Sequence, residues 1–565
     1  MIFAGGDPRG ITRRDVMAGG AVALAAGLLR GPAAFAAPVA EVAPVSWRHT
    51  VTPATTNLTA VLGAFPRGPV NQAVLVTSWD DFAAQFGAPA IPPFGNAPSM
   101  AVYAVWQLFY NGGIGAWIVR LDAPGSTIAQ ATYGPLTLRA DDEGAWASGL
   151  RVAFRPASSG TPDHLDFTVS APDSSSGQAG AVLETLVNLP NDATLATGIT
   201  SQSQYLSATA QGTDPLVPQS QDVRLAGGAD GAWSVASFAS AVLAQLGEDG
   251  SSSAPTPALD QIAPQVFNLM CIPDLVYLST TAQGSAIAAA HRYCQRHNSF
   301  LIADPPPPAS AMADAWLPDT QATSIDSVGT AAGMASLNQW GAQVLSPEHV
   351  AAATYYPWPR IPDPFNDGAT RLVPPSGTIA GVYATTDVNT GVWKAPAGIK
   401  AVLTGVTALA DLTIDDTVNG TLNTQGINCL RTFPGAGNVV WGARTLAGGD
   451  LLQSNFKYVS VRRLTSFVEQ SLQESLKWAT FEPNDAQLWS WLTIEVSAFM
   501  AMLYGSGAFQ GASAAAAYQV VCDASTTTPA DMQSGIVNVS VGFRPVDPAE
   551  FVALTVTVAA SSPAT

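Results

Sequence analysis

The sequence predicts a multidomain α/β protein, with a β-rich domain inserted into it and an α+β domain at its C-terminal end. Three observations predict this. The chain has 565 residues, more than the roughly 250–300 over which a single hydrophobic core keeps growing. Apolar strands alternate with helical stretches on both sides of residues 126–225, the texture of a parallel sheet with crossover helices. Within 126–225 the texture changes to short alternating strands joined by polar, turn-rich connections.

Bulk composition narrows the function classes. Hydrophobic residues make up 47% of the chain, so wholesale disorder is excluded. Charged residues are only 12%, against roughly 25% in ordinary globular proteins. Such a surface either exposes much neutral area or is covered by other subunits. The net charge of −18, with no lysine-rich run, repels nucleic acid and anionic lipid. Cys271, Cys294, Cys429 and Cys522 lie far apart without C-x-x-C spacing, and read as buried small hydrophobes rather than a disulfide framework.

Taken in order, the chain opens with an export pattern. Arg13 and Arg14 match the twin-arginine motif, and Val16 to Leu29 is an uncharged run of fourteen residues. That run is too short to cross a bilayer core of about 30 Å as a helix, but fits a signal segment. Ala34-Phe35-Ala36 supplies the small-x-small cleavage pattern, so residues 1–36 are expected to be a twin-arginine signal and Ala37 the mature start. No other segment is long and apolar enough to span a membrane. Residues 37–57, rich in Pro, Thr and Val, read as an extended arm.

Residues 58–125 form an α/β segment. "LTAVLGAFPRGPVNQAVLVTSWDDFAAQFG" predicts strand, Pro/Gly turn, strand and short helix. "SMAVYAVWQLFYNGG" is a buried helix stopped by Gly112-Gly113, and "AWIVRL" is a strand. The insertion, 126–225, holds "LRVAFRP" and "HLDFTVSAP" as half-buried strands. Residues 226–446 return to α/β texture, with a strand–helix–strand unit from "VFNLMCIPD" through His291 and Cys294 to "FLIADPPPP". In 447–565, Leu464, Phe467, Val468, Leu472 and Leu476 share one helical face. Asn484, with Gln487 three residues on, predicts a capped second helix whose buried stripe is Leu488, Leu492, Val496, Phe499 and Leu503. Two alternating strands follow, Ile536 to Val541 and Phe551 to Val558, and terminal strands with unpaired edges invite pairing with another chain.

Motifs of catalysis are missing. The chain has no phosphate loop, no G-x-S-x-G nucleophile elbow and no H-E-x-x-H. His291, Cys294 and His297 are the one cluster with a metal-like composition, but His297 lies well round a helix from the other two, and two ligands do not make a zinc site. Asp274 and Asp304 follow predicted strands, where α/β enzymes keep carboxylates. Without a partner base, helix-capping or turn roles account for them better. No catalytic residue, cofactor or metal is expected.

The same residues resemble a known family, the tail sheath proteins of contractile phages and phage-tail-like injection systems. The likeness rests on "PRGPVNQAVLVTSWDDFAAQFG" followed by "NGG…AWIVRL", on "YYPWPRIPDP", "PPSGTIAGVYATTDVNTGVWKAPAG" and "GINCLRTFPGAGNVVWGARTL", and on "YVSVRRL…FEPNDAQLW" and "FRPVDPAEFV". These occur in family order from about Leu58 to the C-terminus. The resemblance implies a structural protein whose region 226–446 is subtilisin-like in topology without the protease's catalytic residues. It implies subunits that stack helically around an inner tube and contract to drive it through a target envelope.

It also implies linkage through the arm around Val39, Glu41 and Val42 and through strands bearing Ile536, Val537, Val539 and Val541, then Phe551, Leu554, Val556 and Val558. The implied partners are other copies of the chain, an inner tube protein, and baseplate and tail-terminator proteins, with no nucleic acid and no stable membrane span. The implied place is an injection particle assembled in the producing cell's cytoplasm, with twin-arginine export as the alternative. The front departs from the family: "APVAEVAPV" stands where a "PGVYVEE"-like arm is usual. The competing readings are an exported subtilisin-like hydrolase and an exported surface polymer.

Overall fold

The computed structural model describes residues 49–88, 98–173, 180–212, 215–217, 222–248, 256–262, 266–308, 324–325 and 327–548. These fall into two compact units, a larger one within 55–466 and a smaller one combining residues up to Ala54 with Phe467–Val546.

An eight-stranded sheet organises the larger unit. Its strands lie in the order Ala73–Val76, Ala116–Arg120, Thr59–Gly63, Leu269–Cys271, Phe300–Ala303, Ala352–Tyr356, Asn428–Phe433 and Gly437–Val440. The six inner strands are parallel, with Thr59 opposite both Ala116 and Leu269, Leu269 opposite Phe300, Leu301 opposite Ala352, and Tyr355 opposite Asn428. An antiparallel strand closes each edge. The segment 58–125 and the region 226–446 therefore share one sheet, with the insertion entering between two of its strands. The expected strand–helix–strand unit is present, with Thr280–Arg296 as its helix.

Both faces of the sheet are buried, as a parallel sheet requires. Neighbouring residues of one strand go to opposite sides: Ala60, Leu62, Met270 and Leu301 face one core, and Val61, Cys271, Phe300 and Ile302 the other. The first core is covered by Phe238 and Val242, Ile287 and Ala290, and Leu337 and Trp340, from three helices. The second is covered by Val102 and Val105 from the helix Met100–Tyr110, and by Ile379 and Tyr383 from Ser376–Asn389.

Those last two helices pack through bare backbone. A Cβ on Gly377 would meet the Ala104 carbonyl oxygen at 2.3 Å, and one on Gly381 would meet the Asn111 Cβ at 2.5 Å. Two glycines one turn apart on the same face are what permit this approach.

The insertion has its own core. One sheet pairs Gln130–Tyr133, Leu136–Ala140 and Leu206–Ala210, and the other pairs Val223–Arg224, Arg151–Pro156, His164–Ser170 and Val182–Pro190. Tyr133, Phe154, Phe167, Val169, Leu189 and Leu206 are buried between them. Along His164–Ser170 every second residue is buried, the alternation expected of a half-buried strand.

In the smaller unit the helix Ala486–Gly505 buries Leu488, Leu492, Val496, Phe499 and Leu503, the predicted stripe. Its cap sits one residue later than the sequence pattern implies. Asp485 accepts from the Gln487 and Leu488 N–H groups, while Asn484 bonds the Trp489 indole and the Ile536 carbonyl. A carboxylate is the better acceptor for the positive end of a helix, and Asn484 is drawn to tertiary partners instead. The predicted strand Ile536–Val541 also shifts. The strand is Ser540–Phe543, paired with Tyr518–Val521, because Val537 and Val539 pack with Leu488, Leu492 and Cys522.

Two glycine substitutions separate packing from propensity. Gly377→Ala is expected to lower stability by about 1–3 kcal/mol through overpacking. Gly420→Ala, inside the helix Asp416–Gln425 with open space around it, is expected to raise stability by roughly 0.8–1 kcal/mol. Urea midpoints of both variants check the pair.

Candidate functional site: carboxylates at the strand ends

The positions where a catalytic group is looked for in such a sheet lie at the carboxyl ends of the strands, near the point where successive strands switch direction across the sheet. That point falls at Thr59–Gly63, flanked by Ala116–Arg120 and Leu269–Cys271. Asp274 lies there, in the 3-10 helix Pro273–Tyr277 that follows Leu269–Cys271, and Asp304 follows the next strand, Phe300–Ala303; both are buried.

Each closes the N-terminus of a helix distant in sequence. Asp274 Oδ1 accepts from the Met100 and Ala101 N–H groups at 2.6 and 3.3 Å, and Oδ2 from the Ala64 N–H at 3.0 Å and the Ser99 hydroxyl at 3.2 Å. Ser99, the cap residue of Met100–Tyr110, makes no side-chain cap bond of its own. Asp274 supplies it. Asp304 Oδ1 accepts from the Ser376 N–H at 2.8 Å, where the cap position is Pro375 and has no side-chain acceptor. The Asp304 carbonyl accepts from Gln283, whose own amide oxygen accepts from the Trp340 indole at 2.8 Å.

Burial pushes both carboxyls up, Asp274 to about 6 and Asp304 to about 7, against the opposing pull of their hydrogen bonds.

The imidazoles and thiols do not complete a reactive constellation. His291 accepts from the Ala351 N–H at 3.2 Å and packs its ring 4.8 Å from that of His349. Burial drives it down to about 3, so it stays neutral. His297 turns instead to Asp260, at 3.1 Å, and Cys294 lies 3.8 Å from the Met270 sulfur. The three residues of the metal-like cluster thus have separate partners, and no group able to hold a metal ion occurs among the described residues. Burial raises the thiols of Cys271 and Cys294, away from thiolate chemistry.

A further buried group comes from "YVSVRRL". Arg463 forms a two-pronged ion pair with Asp387, at 2.9 and 2.6 Å, with side chains only 4% and 2% exposed. It also donates to the Thr56 carbonyl at 2.8 Å and lies over the Tyr383 ring, whose hydroxyl meets that of Tyr355 at 2.5 Å. One guanidinium thereby holds three stretches of the larger unit. An arginine pair inside an otherwise apolar helical stripe was the available signal.

Of the residues expected to link subunits, Val541 is buried in the strand Ser540–Phe543, Val537 and Val539 are packed internally, and Ile536 is exposed. Val39, Glu41, Val42, Phe551, Leu554, Val556 and Val558 lie outside the described residues, as do Arg13, Arg14, Ala34 and Ala36. The first described part of the arm lies along the second half of the helix Val459–Ser475. Thr52 and Ala54 donate their N–H groups to Ser475 and Ser471, both at 2.9 Å, and the His49 ring stacks on Trp478 at 4.3 Å.

The strand-end carboxylates hold helices, and the architecture is that of a structural α/β subunit. Comparison with known proteins agrees. The description "Phage tail sheath protein central domain" matches residues 250–446, and "Phage tail sheath C-terminal domain" matches 453–559. The chain belongs to the tail sheath family, which is structural and not enzymatic.

It is 29% identical over 193 residues to the tail sheath protein of Vibrio phage KVP40, covering 34% of this chain and 27% of that protein. It is 31% identical over 168 residues to that of Enterobacteria phage T4, covering 30% and 24%. The matched segment spans about a quarter of those relatives. In fold, it is similar to the sheath complex of an extracellular contractile injection system, PVC, in the contracted state, with a TM-score of 0.53, 19% identity, and 94% and 98% of the two chains covered. It is also similar to a sheath tail protein of Listeria innocua, with a TM-score of 0.58, 12% identity, and 89% and 94% covered.

Two outcomes are expected from this site. Arg463→Ala strands a buried carboxylate at Asp387 and is expected to cost about 3–5 kcal/mol, while Arg463→Ala with Asp387→Leu recovers part of the loss; denaturant titration of the three proteins reads it. For Asp304, a folded value near 7 lies above the unfolded one, so its stabilising contribution is full below the unfolded value and is lost as pH rises through about 7. Asp304→Asn removes that titration, so its melting temperature relative to the parent is expected to be higher at pH 8 than at pH 5.

Proposed function

We propose that this chain is the structural subunit of a contractile sheath, which polymerises helically around an inner tube and shortens to drive the tube through a target envelope. The reading is carried by the ordered match of the sheath central and C-terminal domain descriptions across 250–446 and 453–559. The use of both strand-end carboxylates as helix caps supports a body built to be rigid. The central sheet is read as a subtilisin-like topology emptied of catalysis. In the partners' order, copies of the chain come first, then an inner tube protein, baseplate and tail terminator, assembled in the producing cell.

Linkage between copies is read as strand addition. The pair Tyr518–Val521 and Ser540–Phe543 is a two-stranded sheet, and two strands alone are marginal in water. Its outer edges suit the arm around Val39 to Val45 and the strand Phe551 to Val558 of neighbouring copies. Main-chain bonds of that kind keep subunits joined while their bodies rotate. Residues 1–36 are read as an address carried ahead of the arm.

Electron microscopy of the purified full chain at rising concentration tests the reading. Tubes or stacked rings are the expected outcome; a protein that stays monomeric with arm and terminal strand intact overturns it. The N-terminal sequence of subunits taken from assembled particles tests the address separately: a start at Ala37 supports the signal reading, and retention of Arg13 and Arg14 ends it.

A further inference from the structure

The insertion joins the sheet body of the larger unit through the two chains that enter and leave it. Ser126–Thr127 and Ala229–Asp230 pair there as a two-residue antiparallel ladder, and the Ala232 N–H reaches the Pro124 carbonyl at 3.1 Å. Gly125, Gly227 and Gly231 stand along these chains with φ of +79°, +87° and +72°. Left-handed glycines at such a crossing are suited to absorb a change of backbone direction. Among the described residues, none of the insertion's core belongs to either core flanking the sheet, so the two bodies share no common interior.

A second meeting point is the turn Pro66 to Pro69 of the sheet body. The turn is fixed to its own side: the Arg67 N–H donates to the Phe86 carbonyl at 3.1 Å, and a Cβ on Gly68 would meet the Phe86 ring at 2.6 Å. The Arg67 guanidinium donates to the Ala83 carbonyl at 3.3 Å and to that of Ala84, in the last turn of the helix Trp79–Phe86, where a cation is favoured. The same guanidinium reaches the insertion. Its carbon lies 5.4 Å from the Trp146 ring centre and 5.5 Å from that of Tyr205, in the notch between two rings 6.5 Å apart. Beside it the Gly68 N–H donates to Asp142 Oδ2 at 3.1 Å, while Arg120 donates to the Gly68 carbonyl at 2.8 Å.

This contact carries its own counterweight. Arg67 Nε and the Trp146 indole nitrogen are buried without a hydrogen-bond partner within the chain. Cation–aromatic and helix-end interactions favour the closed contact, and two unmet donors, which regain water on opening, oppose it. We propose that Arg67 is a latch that sets the orientation of the inserted domain on the sheet body, and that the stalk glycines are the hinge about which the domain turns once the latch is open. Both cores stay folded in either state. The inference concerns one chain by itself and holds whether or not the chain polymerises.

Distances and hydrogen exchange in the full chain test it. The four native cysteines are buried. Spin labels therefore go to Thr185→Cys, on the insertion strand Val182–Pro190, and Asn338→Cys, on the helix Ala331–Val344, both exposed. Unlabelled copies are kept in excess, so that only distances within one chain are read. The parent is expected to give one narrow distribution and Arg67→Gln a broad one. Exchange in the peptide holding Gly68 is expected to rise about tenfold in Arg67→Gln, with exchange at Phe167 and Val169 in the insertion core unchanged. Tyr205→Leu is expected to broaden the distances in the same way. Combined with Arg67→Gln it is expected to add nothing further, because both changes remove one contact.

Several results overturn it. One is a narrow distribution in Arg67→Gln with Gly68 exchanging as in the parent. Another is a broad distribution in the parent, which leaves nothing for a latch to hold. Broadening accompanied by faster exchange at Phe167 and Val169 also overturns it, since the insertion then unfolds rather than turns. Additive broadening in the double variant removes Tyr205 and Arg67 from a common latch. None of these outcomes bears on the sheath reading, which stands or falls by polymerisation.

Discussion

Two buried carboxylates hold the larger unit's layers together. A parallel sheet needs helices on both faces, and every such helix begins with N–H groups that its own backbone cannot satisfy. In Met100–Tyr110 and Ser376–Asn389 those groups are met by Asp274 and Asp304, which project from the ends of two sheet strands. The helix positions are thereby fixed to the sheet by directional bonds, and the close Gly377 and Gly381 contact between the helices follows from that placement. Burying both carboxyls costs stability at high pH, a cost offset by fixing the layers.

The same geometry turns the polar groups at the strand ends to structural use. Strand ends at the switch point are where such sheets hold reactive side chains. Here the carboxylate oxygens are turned toward helix termini, and the histidines lie elsewhere with structural partners. The chemistry available to the site is that of acceptors for backbone N–H groups.

Local patterns were legible and distant pairings were not. The strands at Thr59–Gly63 and Ala116–Arg120, the helix Thr280–Arg296 and the inner stripe of Ala486–Gly505 declare themselves by period and by flanking glycine and proline. Capping of the two helices by Asp274 and Asp304 was readable as a role, but not as a pairing, since the partners lie far apart in sequence. The Arg463–Asp387 pair was not read for the same reason. The cap at Asp485 rather than Asn484, and the strand beginning at Ser540, were decided by tertiary demand: an indole, a carbonyl and an apolar pocket claimed the side chains that local rules assigned elsewhere.

The four cysteines are all unpaired and buried. None of the protein's rigidity depends on a covalent cross-link, so the fold is indifferent to the redox poise of the compartment that holds it. It also offers solvent no reactive thiol, so a cysteine introduced on its surface would be a single chemical handle for following a subunit as it moves.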